Sequence, residues 1–172
     1  MKQMSFLHDI STVIPVPEKK TVTTWKLFID GASRKNPGNA GAGVYLMKNE
    51  EIAFKKGFFL GCKTNNQAEY LALLLGIYYA KKYVQPQDLL AIFSDSELLV
   101  KHMKGEYKIR NAELKQLFDF AFVLLDGLHY SFCHVLREYN AHADALANEG
   151  IDKKIKIPQE FFTLLHAHGI QI

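Results

Sequence analysis

The sequence predicts a domain of the α/β class, with a mixed sheet that is covered by helices. Three segments with the composition of strands come first, and later apolar runs are interleaved with segments of helical spacing. The predicted order is β-β-β-α-β-α-α-β-α, which is typical of such a sheet. The length of 172 residues and the hydrophobic content of 48% fit one domain with a real core.

Five segments have the composition of strands. The first is short and apolar, and Gly31 is expected to stop it. The second and third look like a hairpin that turns near Asn49, and the fourth is a continuous apolar run of the kind that is buried on both faces. In chain order, the predicted strands are residues 25–30, 43–47, 52–60, 89–93 and 130–136.

Apolar residues at helical spacing predict four helices. At the start of the first helix, Thr64 and Gln67 are placed for a capping box. The second helix is short and is expected to end near Lys104. The predicted starting or capping residues of the four helices are Thr64, Ser94, Asn111 and Asn140.

The periodic signals begin at Trp25 and end near Gly150. Residues 1–24 lack a clear period and are predicted to be an N-terminal arm or extension. Residues 25–150 are predicted to form the main domain, and residues 151–172 a C-terminal tail.

Charge and cysteine content limit the classes of function. A formal net charge of +3 permits a polyanionic partner without requiring one. Cys62 and Cys133 form no disulfide or zinc pattern, so a reducing cytoplasm is the expected location. No signal peptide and no run of roughly 20 apolar residues is found, so we expect a soluble protein with no membrane partner. No obligatory protein partner is evident.

Four acidic residues stand where side chains of an α/β sheet converge. Asp30 ends the first strand, and Asp95 directly follows the fourth. Glu69 lies in about the first turn of the long helix, and Asp144 one turn into the last helix. Each also has a plain structural interpretation as a turn residue, a cap or a solvated helix acid. Position alone therefore leaves both interpretations open.

Four strings around these acids closely resemble the ribonuclease H type 1 family, and they occur in the family's order. Any one string would be a weak match, whereas the four together are highly specific. The resemblance spans roughly residues 25–150. The strings are residues 30–38 (Asp-Gly-Ala-Ser-Arg-Lys-Asn-Pro-Gly) with 40–43, residues 64–70 (Thr-Asn-Asn-Gln-Ala-Glu-Tyr), residues 93–96 (Phe-Ser-Asp-Ser) and residues 137–148.

The resemblance implies a ribonuclease H-like fold, a five-stranded mixed sheet with helices on both faces and the first three strands antiparallel. It implies an endonuclease that cuts the RNA strand of RNA–DNA hybrids and leaves 5′-phosphate and 3′-hydroxyl ends. Hard oxygen ligands suit magnesium, and two ions about 4 Å apart can hold the attacking water and the leaving oxygen. By this resemblance, two Mg²⁺ ions, with Mn²⁺ as a substitute, are bound by the catalytic residues Asp30, Glu69, Asp95 and Asp144.

Further residues match positions at which the family meets its substrate. A protein that distinguishes RNA from DNA must sense the 2′-hydroxyl group. Asn36 and Thr64 also suit a turn and a helix cap, so a structural role stays open for both. Gly31 and Gly38 would allow backbone to approach the substrate closely. The residues expected to bind the hybrid are Gly31, Asn36, Thr64, Asn65, Asn66 and Ser96.

The chain departs from the family pattern at three places. Many members carry a histidine on a loop before the last catalytic aspartate. Here that link is short, which leaves His142 as a candidate, while His134 is expected to be a half-buried packing residue. Residues 101–110 are too short for the basic protrusion of some relatives, which indicates the compact branch. Glu97 stands where some relatives have glutamine.

The predicted tail lies beyond the resemblance. Lys153, Lys154 and Lys156 form a small basic cluster, and an apolar patch follows around Phe161. One interpretation is that the patch packs on the domain and the lysines are solvated. The other is that the lysines contact the hybrid in place of the missing protrusion.

Two rival functions remain. A DNA-processing nuclease of the wider superfamily, such as a transposase-like enzyme or a 3′-to-5′ exonuclease, would use clustered acids on a similar sheet. The Thr-Asn-Asn string of residues 64–66 speaks against it. A non-catalytic hybrid-binding module would have the same fold, but the presence of all four acids disfavours it.

Overall fold

The computed structural model describes residues 21–172, so most of the predicted N-terminal arm lies outside the described residues. The strands are β1 (Thr24–Ser33), β2 (Gly38–Lys48), β3 (Glu51–Lys63), β4 (Leu89–Ser94) and β5 (His129–His134). The helices are α1 (Asn65–Ala80), α2 (Glu97–Met103), α3 (Ala112–Leu125), α4 (Ala141–Lys153) and α5 (Gln159–Ala167), and a 3₁₀ turn (Arg137–Asn140) precedes α4.

The five strands form one mixed sheet in the order β3-β2-β1-β4-β5. β1, β2 and β3 pair antiparallel, while β1, β4 and β5 pair parallel. The predicted mixed sheet and its five strands are confirmed. The hairpin turn is also confirmed, because Asn49 adopts a φ of 54°, the left-handed conformation that tight turns use.

Helices cover both faces of the sheet. Leu27 and Ile29 of β1 point to one face, where they pack beneath Gly76 of α1. Because side chains alternate along a strand, that of Asp30 points to the other face. Asp30 pairs with Gly43 of β2, and Gly43 lies directly under α4. α1 is apolar almost all round, and α3 packs beside it. Helices therefore approach the end of β1 from both faces of the sheet.

Glycines let α4 lie directly on β2 and β3. A Cβ added at Gly43 would stand 1.9 Å from the carbonyl oxygen of Ala143, and one at Gly57 would stand 1.9 Å from that of Leu146. Both distances are far below van der Waals contact, so any side chain would push the helix away from the sheet. The position of α4, and of the acid it carries, depends on these small residues.

Several predicted strand and helix boundaries are wrong, and sheet pairing explains two of them. Gly31 does not stop β1, because antiparallel pairing with β2 continues as far as Ser33 opposite Ala40. Ser94 does not begin α2, because it is the last residue of β4 and pairs with β5. The cap of α2 is Ser96, whose side chain accepts a hydrogen bond from the backbone N–H of Leu99 at 3.3 Å.

The C-terminal segment contains a helix that the sequence did not predict. Phe161 and Leu165 of α5 are fully buried in the main core, and the Phe161 ring lies 5.2 Å from that of Tyr78 in α1. α4 continues to Lys153 without a break at residue 150. α5 therefore contributes to the same hydrophobic core as the sheet.

The burial of Phe161 generates a stability prediction. Phe161→Ala should lower the free energy of unfolding by about 3–5 kcal/mol, because it leaves a cavity in a packed core. Phe162→Ala, which truncates a partly exposed neighbour on the same helix, should cost clearly less. Urea denaturation followed by circular dichroism measures both losses. Equal losses in the two variants would show that α5 does not belong to the core.

Candidate active site

Asp30 and Asp95 come from neighbouring parallel strands. Asp30 lies in β1, and Asp95 follows the last residue of β4. The carboxyl ends of parallel strands meet at one edge of a sheet, so the two side chains converge there. Asp30 is buried, with 5% of its surface exposed.

Glu69 reaches the same place from α1. A Cβ added at Gly31 would lie 2.2 Å from the backbone nitrogen of Glu69, so only glycine allows α1 to touch β1 at this point. Carboxylate oxygens of Asp30, Glu69 and Asp95 lie within 4.8 Å of one another. Oε2 of Glu69 is buried and has no hydrogen-bond partner within residues 21–172.

Asp144, in the first turn of α4, lines the same open cavity but stands outside the cluster of three acids. The cavity has a volume of about 390 Å³. We call it the acid cavity; its lining residues are Asp30, Gly31, Ala32, Ser33, Asn65, Glu69, Asp95, Arg137, Asp144 and Asn148. The structure thus brings all four predicted acids to one cavity.

Burial and mutual repulsion perturb two of these carboxyl groups. Burial, followed by the charges of Asp95 and Asp144, raises the pKa of Asp30 to about 7, and the charge of Arg137 opposes the rise. Burial also raises the pKa of Glu69 well above its ordinary value, with the charges of Asp30 and Asp95 adding to the effect. Ionised carboxylates in this arrangement have only the Arg137 guanidinium as countercharge among the residues that line the cavity, and a bound cation would supply more.

Asn140 connects three of the elements that build the cavity. Its side chain is buried, and its Nδ2 donates to the backbone oxygen of Ile29 and to Oδ1 of Asp95, both at 2.9 Å. The amide therefore ties the 3₁₀ turn to β1 and orients the Asp95 carboxylate. Sequence reasoning assigned Asn140 only to the start of a helix, although it lies inside the fourth string.

Arg137 and Asn148 hold Asp144, and sequence reasoning gave neither a role. A guanidinium nitrogen of Arg137 lies 2.8 Å from Oδ1 of Asp144. Nδ2 of Asn148, one turn along α4, donates to the backbone oxygen of Asp144 at 2.9 Å and lies 3.3 Å from its Oδ2. Both residues lie in the fourth string, residues 137–148, so the resemblance of that string could have indicated a role for them.

The predicted capping box at the start of α1 is confirmed. Thr64 accepts a hydrogen bond from the backbone N–H of Gln67 at 3.2 Å, and the Gln67 side chain accepts one from the backbone of Thr64 at 2.9 Å. Oδ1 of Asn36 accepts from the backbone N–H of Asn65 at 3.1 Å. Asn36 and Thr64 therefore both have structural roles at this helix start, and Asn65 lines the acid cavity.

Asn66 and Ser96 line a shallow cleft next to the acid cavity. Glu69 borders both the cleft and the cavity, and Leu98 also lines the cleft. Of the residues expected to bind the hybrid, Gly31 and Asn65 thus line the cavity, while Asn66 and Ser96 extend the same surface.

The two histidines near the site differ from expectation. His134 is exposed at the end of β5, with its Nε2 3.3 Å from the backbone oxygen of Asp95, so the expected half-buried packing role is wrong. β5 ends there, which leaves the ring at the sheet edge. His142 stacks on Tyr45 at 4.8 Å and lines a separate pocket with Phe28. Its ring is not part of the acid cavity lining.

Charged residues outside the cavity pair mostly with neighbours. Glu97 bonds Lys101 one turn along α2. Lys153 pairs with Glu149, and Lys154 lies over the ring of Phe59 at 3.7 Å. All three lysines of the basic cluster, Lys153, Lys154 and Lys156, are exposed.

Residues 104–111 alone connect α2 to α3, so this region carries no helical protrusion.

Comparison with known proteins identifies the family. Residues 28–150 match the family model described as reverse transcriptase-like. The chain is 38% identical over 127 residues to ribonuclease HI of Halobacterium salinarum, covering 73% of this chain and 63% of that protein. It is 32% identical over 148 residues to ribonuclease H of Dechloromonas aromatica, covering 76% of this chain and 95% of that protein.

Solved structures agree with these matches. The crystal structure of the Halobacterium salinarum RNase H1 superposes with a TM-score of 0.71 at 35% identity, covering 77% of this chain and 99% of that one. LC11-RNase H1 in complex with an RNA/DNA hybrid gives a TM-score of 0.69 at 34% identity, covering 75% and 97%. The fold is that of a ribonuclease H. The chain belongs to the type 1 ribonuclease H family. Within residues 21–172, no helix is long and apolar enough to span a membrane.

The crowded carboxylates generate a prediction for the metal-free protein. Between about pH 4 and pH 7 the folded Asp30 retains a proton that the unfolded chain has released, because its pKa is raised from 3.8 to about 7. Unfolding then releases a proton, so this group makes the free energy of unfolding fall as the pH rises through that window. Asp30→Asn should remove this contribution to the fall in the free energy of unfolding with rising pH.

At pH 8 in EDTA, Asp30→Asn should therefore be more stable than the parent protein by about 1–3 kcal/mol. Urea denaturation at several pH values measures the difference. Asp119→Asn is the control, since Asp119 is exposed on α3 away from the cavity. Parallel pH profiles for the parent protein and Asp30→Asn would contradict the prediction.

Proposed function

We propose that this protein is an endonuclease that hydrolyses the RNA strand of RNA–DNA hybrids with the help of two divalent cations. The observation that carries the proposal is the acid cavity. Three carboxylates within 4.8 Å of one another share it with a fourth, and one guanidinium is the countercharge. The chain spans 63% of the length of the ribonuclease HI from Halobacterium salinarum that it matches, and this likeness supports the proposal.

The cavity fits hard divalent cations. Its donors are carboxylate oxygens, the ligands that Mg²⁺ and Mn²⁺ prefer. Oε2 of Glu69 is buried without a partner among residues 21–172, which is costly unless a cation or a donor occupies the site. Asp30, Glu69, Asp95 and Asp144 would hold two ions, whose four positive charges match four carboxylates. Such a pair would activate a water molecule for attack on phosphorus and stabilise the 3′-oxygen as the P–O3′ bond breaks, so that the products would carry a 5′-phosphate and a 3′-hydroxyl.

Residues of the chain itself position these groups. Asn140 directs Oδ1 of Asp95, and Asn148 braces Asp144 from within α4. The backbone of Gly31 opposes the rise in the pKa of Glu69, which favours the ionised form of that carboxyl group. Electrostatic catalysis depends on groups that are already oriented before reaction, and these hydrogen bonds provide that orientation.

The surface around the cavity suits recognition of RNA. Asn65, Asn66 and Ser96 present amide and hydroxyl groups beside Glu69, and such groups can bond to a 2′-hydroxyl as donor or acceptor. Asn36 and Thr64 hold the start of α1 on which the two asparagines stand. That LC11-RNase H1, 34% identical, was solved with an RNA/DNA hybrid supports this substrate.

The first test is a cleavage assay with a labelled hybrid. With Mg²⁺ or Mn²⁺ the protein should cut internally within the RNA strand, leave the DNA strand intact, and give 5′-phosphate and 3′-hydroxyl ends. Single-stranded RNA and double-stranded DNA are the controls, and EDTA should abolish cutting. Equal cutting of double-stranded DNA would favour a DNA-processing nuclease. Hybrid binding without cutting would favour a non-catalytic module.

A second test separates catalysis from binding at one acid. Asp95→Asn should lower kcat by at least about 10³-fold, because metal-held charge stabilisation is lost. Hybrid affinity should persist, since Asp95 is proposed to hold metal and not substrate. Asp126→Asn, an exposed acid after α3, should keep normal turnover. Near-normal turnover of a correctly folded Asp95→Asn protein would leave Asp95 without a catalytic role.

A further inference from the structure

A buried polar pair joins α1 to α2 beside the cleft that Asn66 and Ser96 line. The hydroxyl oxygen of Tyr70 on α1 lies 3.0 Å from Nδ1 of His102 on α2. Tyr70 is 1% exposed and His102 is 5% exposed, and their rings stack with centroids 6.2 Å apart. Among the described residues, neither belongs to the lining of the acid cavity. The pair therefore has a role other than cation binding.

The pair is polar at a place where an apolar contact would be simpler. Burial takes a hydroxyl and an imidazole out of water, and the net gain from one hydrogen bond between them is modest. Burial also lowers the pKa of His102, so its ring is neutral at neutral pH. What the hydrogen bond adds is direction, because a buried polar pair has one good geometry whereas apolar side chains can slide past one another.

The two helices that the pair joins are held in different ways. α1 is fixed on β1, because only a glycine at position 31 lets the two backbones touch. Asp95 is held separately, since Asn140 donates to its carboxylate. α2 begins just after it, has seven residues, and is too short to be stable without packing. Of the four side chains that α2 buries, that of His102 is the polar one.

The position of α2 relative to α1 determines the width of the cleft. Asn66 belongs to α1, Ser96 caps α2, and Tyr70 itself lines the cleft. Hydrogen bonds weaken beyond about 3.2 Å, so a displacement of α2 by about 1 Å would take its groups out of reach of a 2′-hydroxyl. Attraction between lysines and phosphates falls off more slowly with distance, so binding of nucleic acid in general would change less.

We propose that the Tyr70–His102 hydrogen bond fixes α2 against α1 and thereby determines how strongly the cleft selects RNA over DNA. Tyr70 and His102 are positioning residues, which act through Asn66 and Ser96 and touch neither substrate nor cation. The inference rests on the proposed function and deepens it, because it names what controls substrate selection at the same site. Selection and catalysis are separable here, since none of the four acids lies in α2.

Tyr70→Phe is the first test, because it removes the hydroxyl and keeps the ring. KM for the hybrid should rise roughly three- to tenfold, as expected for the loss of about one net hydrogen bond, while kcat stays within about twofold. Double-stranded DNA of the same sequence is then used as a competitive inhibitor of hybrid cleavage. Its Ki should stay within about twofold, because phosphate contacts do not depend on sequence or sugar. The ratio of that Ki to KM measures selection, and it should fall.

Substitutions at His102 separate the hydrogen bond from packing. His102→Gln keeps an acceptor for the tyrosine hydroxyl, so KM should stay within about twofold of the parent value. His102→Leu fills similar space without an acceptor and should raise KM as Tyr70→Phe does. The double variant Tyr70→Phe/His102→Leu should be no worse than either single variant, because both remove the same bond. A pair that only fills space would make His102→Gln and His102→Leu equivalent.

Tyr107→Phe is the matched control. The Tyr107 hydroxyl accepts a hydrogen bond from Lys101 of α2 at 3.1 Å, and Tyr107 is exposed. This variant also removes one tyrosine hydroxyl bonded to α2, but at the surface. It should leave KM, kcat and the Ki of double-stranded DNA unchanged. Circular dichroism at the assay temperature verifies that each variant is folded.

Three outcomes would overturn the inference. Unchanged KM in Tyr70→Phe would mean that the pair only stabilises the fold. An equal rise in KM and in the Ki of double-stranded DNA would mean that the whole surface has loosened, and a fall in kcat at constant KM would mean that the pair positions the acids. Failure of the proposed function would look different, because the parent protein itself would not cut the hybrid. Fluorescence anisotropy with labelled hybrid and labelled double-stranded DNA would then still measure whether Tyr70→Phe alters selection.

Discussion

The candidate site depends on how closely two helices approach β1 from opposite faces of the sheet. Backbone atoms of α1 contact Gly31, and backbone atoms of α4 contact Gly43, opposite Asp30. Neither contact would survive a Cβ, so the glycines determine where the two helices lie. Glu69 on α1 and Asp144 on α4 reach the strand that carries Asp30 only because of this close approach.

This approach creates an electrostatic problem, which the rest of the site relieves in part. Carboxylates that converge at a half-buried strand end repel one another, and burial deprives them of solvent. Asn140 donates to Asp95, the Gly31 backbone opposes the rise in the pKa of Glu69, and Arg137 pairs with Asp144. A large apolar core that includes α5 supports the arrangement. The remaining deficit of positive charge is the physical basis for the proposed cation binding.

Local interactions explain the elements that sequence analysis predicted well. The Asn49 turn and the Thr64 capping box each involve residues within a few positions of one another, so their chemistry is visible in a short string. The boundaries at Gly31 and Ser94 were wrong because pairing with β2 and β5, distant in sequence, extends both strands. α5 was missed because it has only 9 residues, and because its stability comes from burial of Phe161 against α1.

The sequence by itself determined the class of fold, the family and which four acidic residues would line one cavity, because residue spacing and the order of the strings can be read along the chain. Only the tertiary structure decided how those acids are arranged: three in one cluster, and Asp144 apart in a pair with Arg137. It also turned His142 toward Tyr45 and left His134 exposed beside Asp95. The physical reason is that these distances join segments far apart in the chain, and helix packing on the sheet sets them.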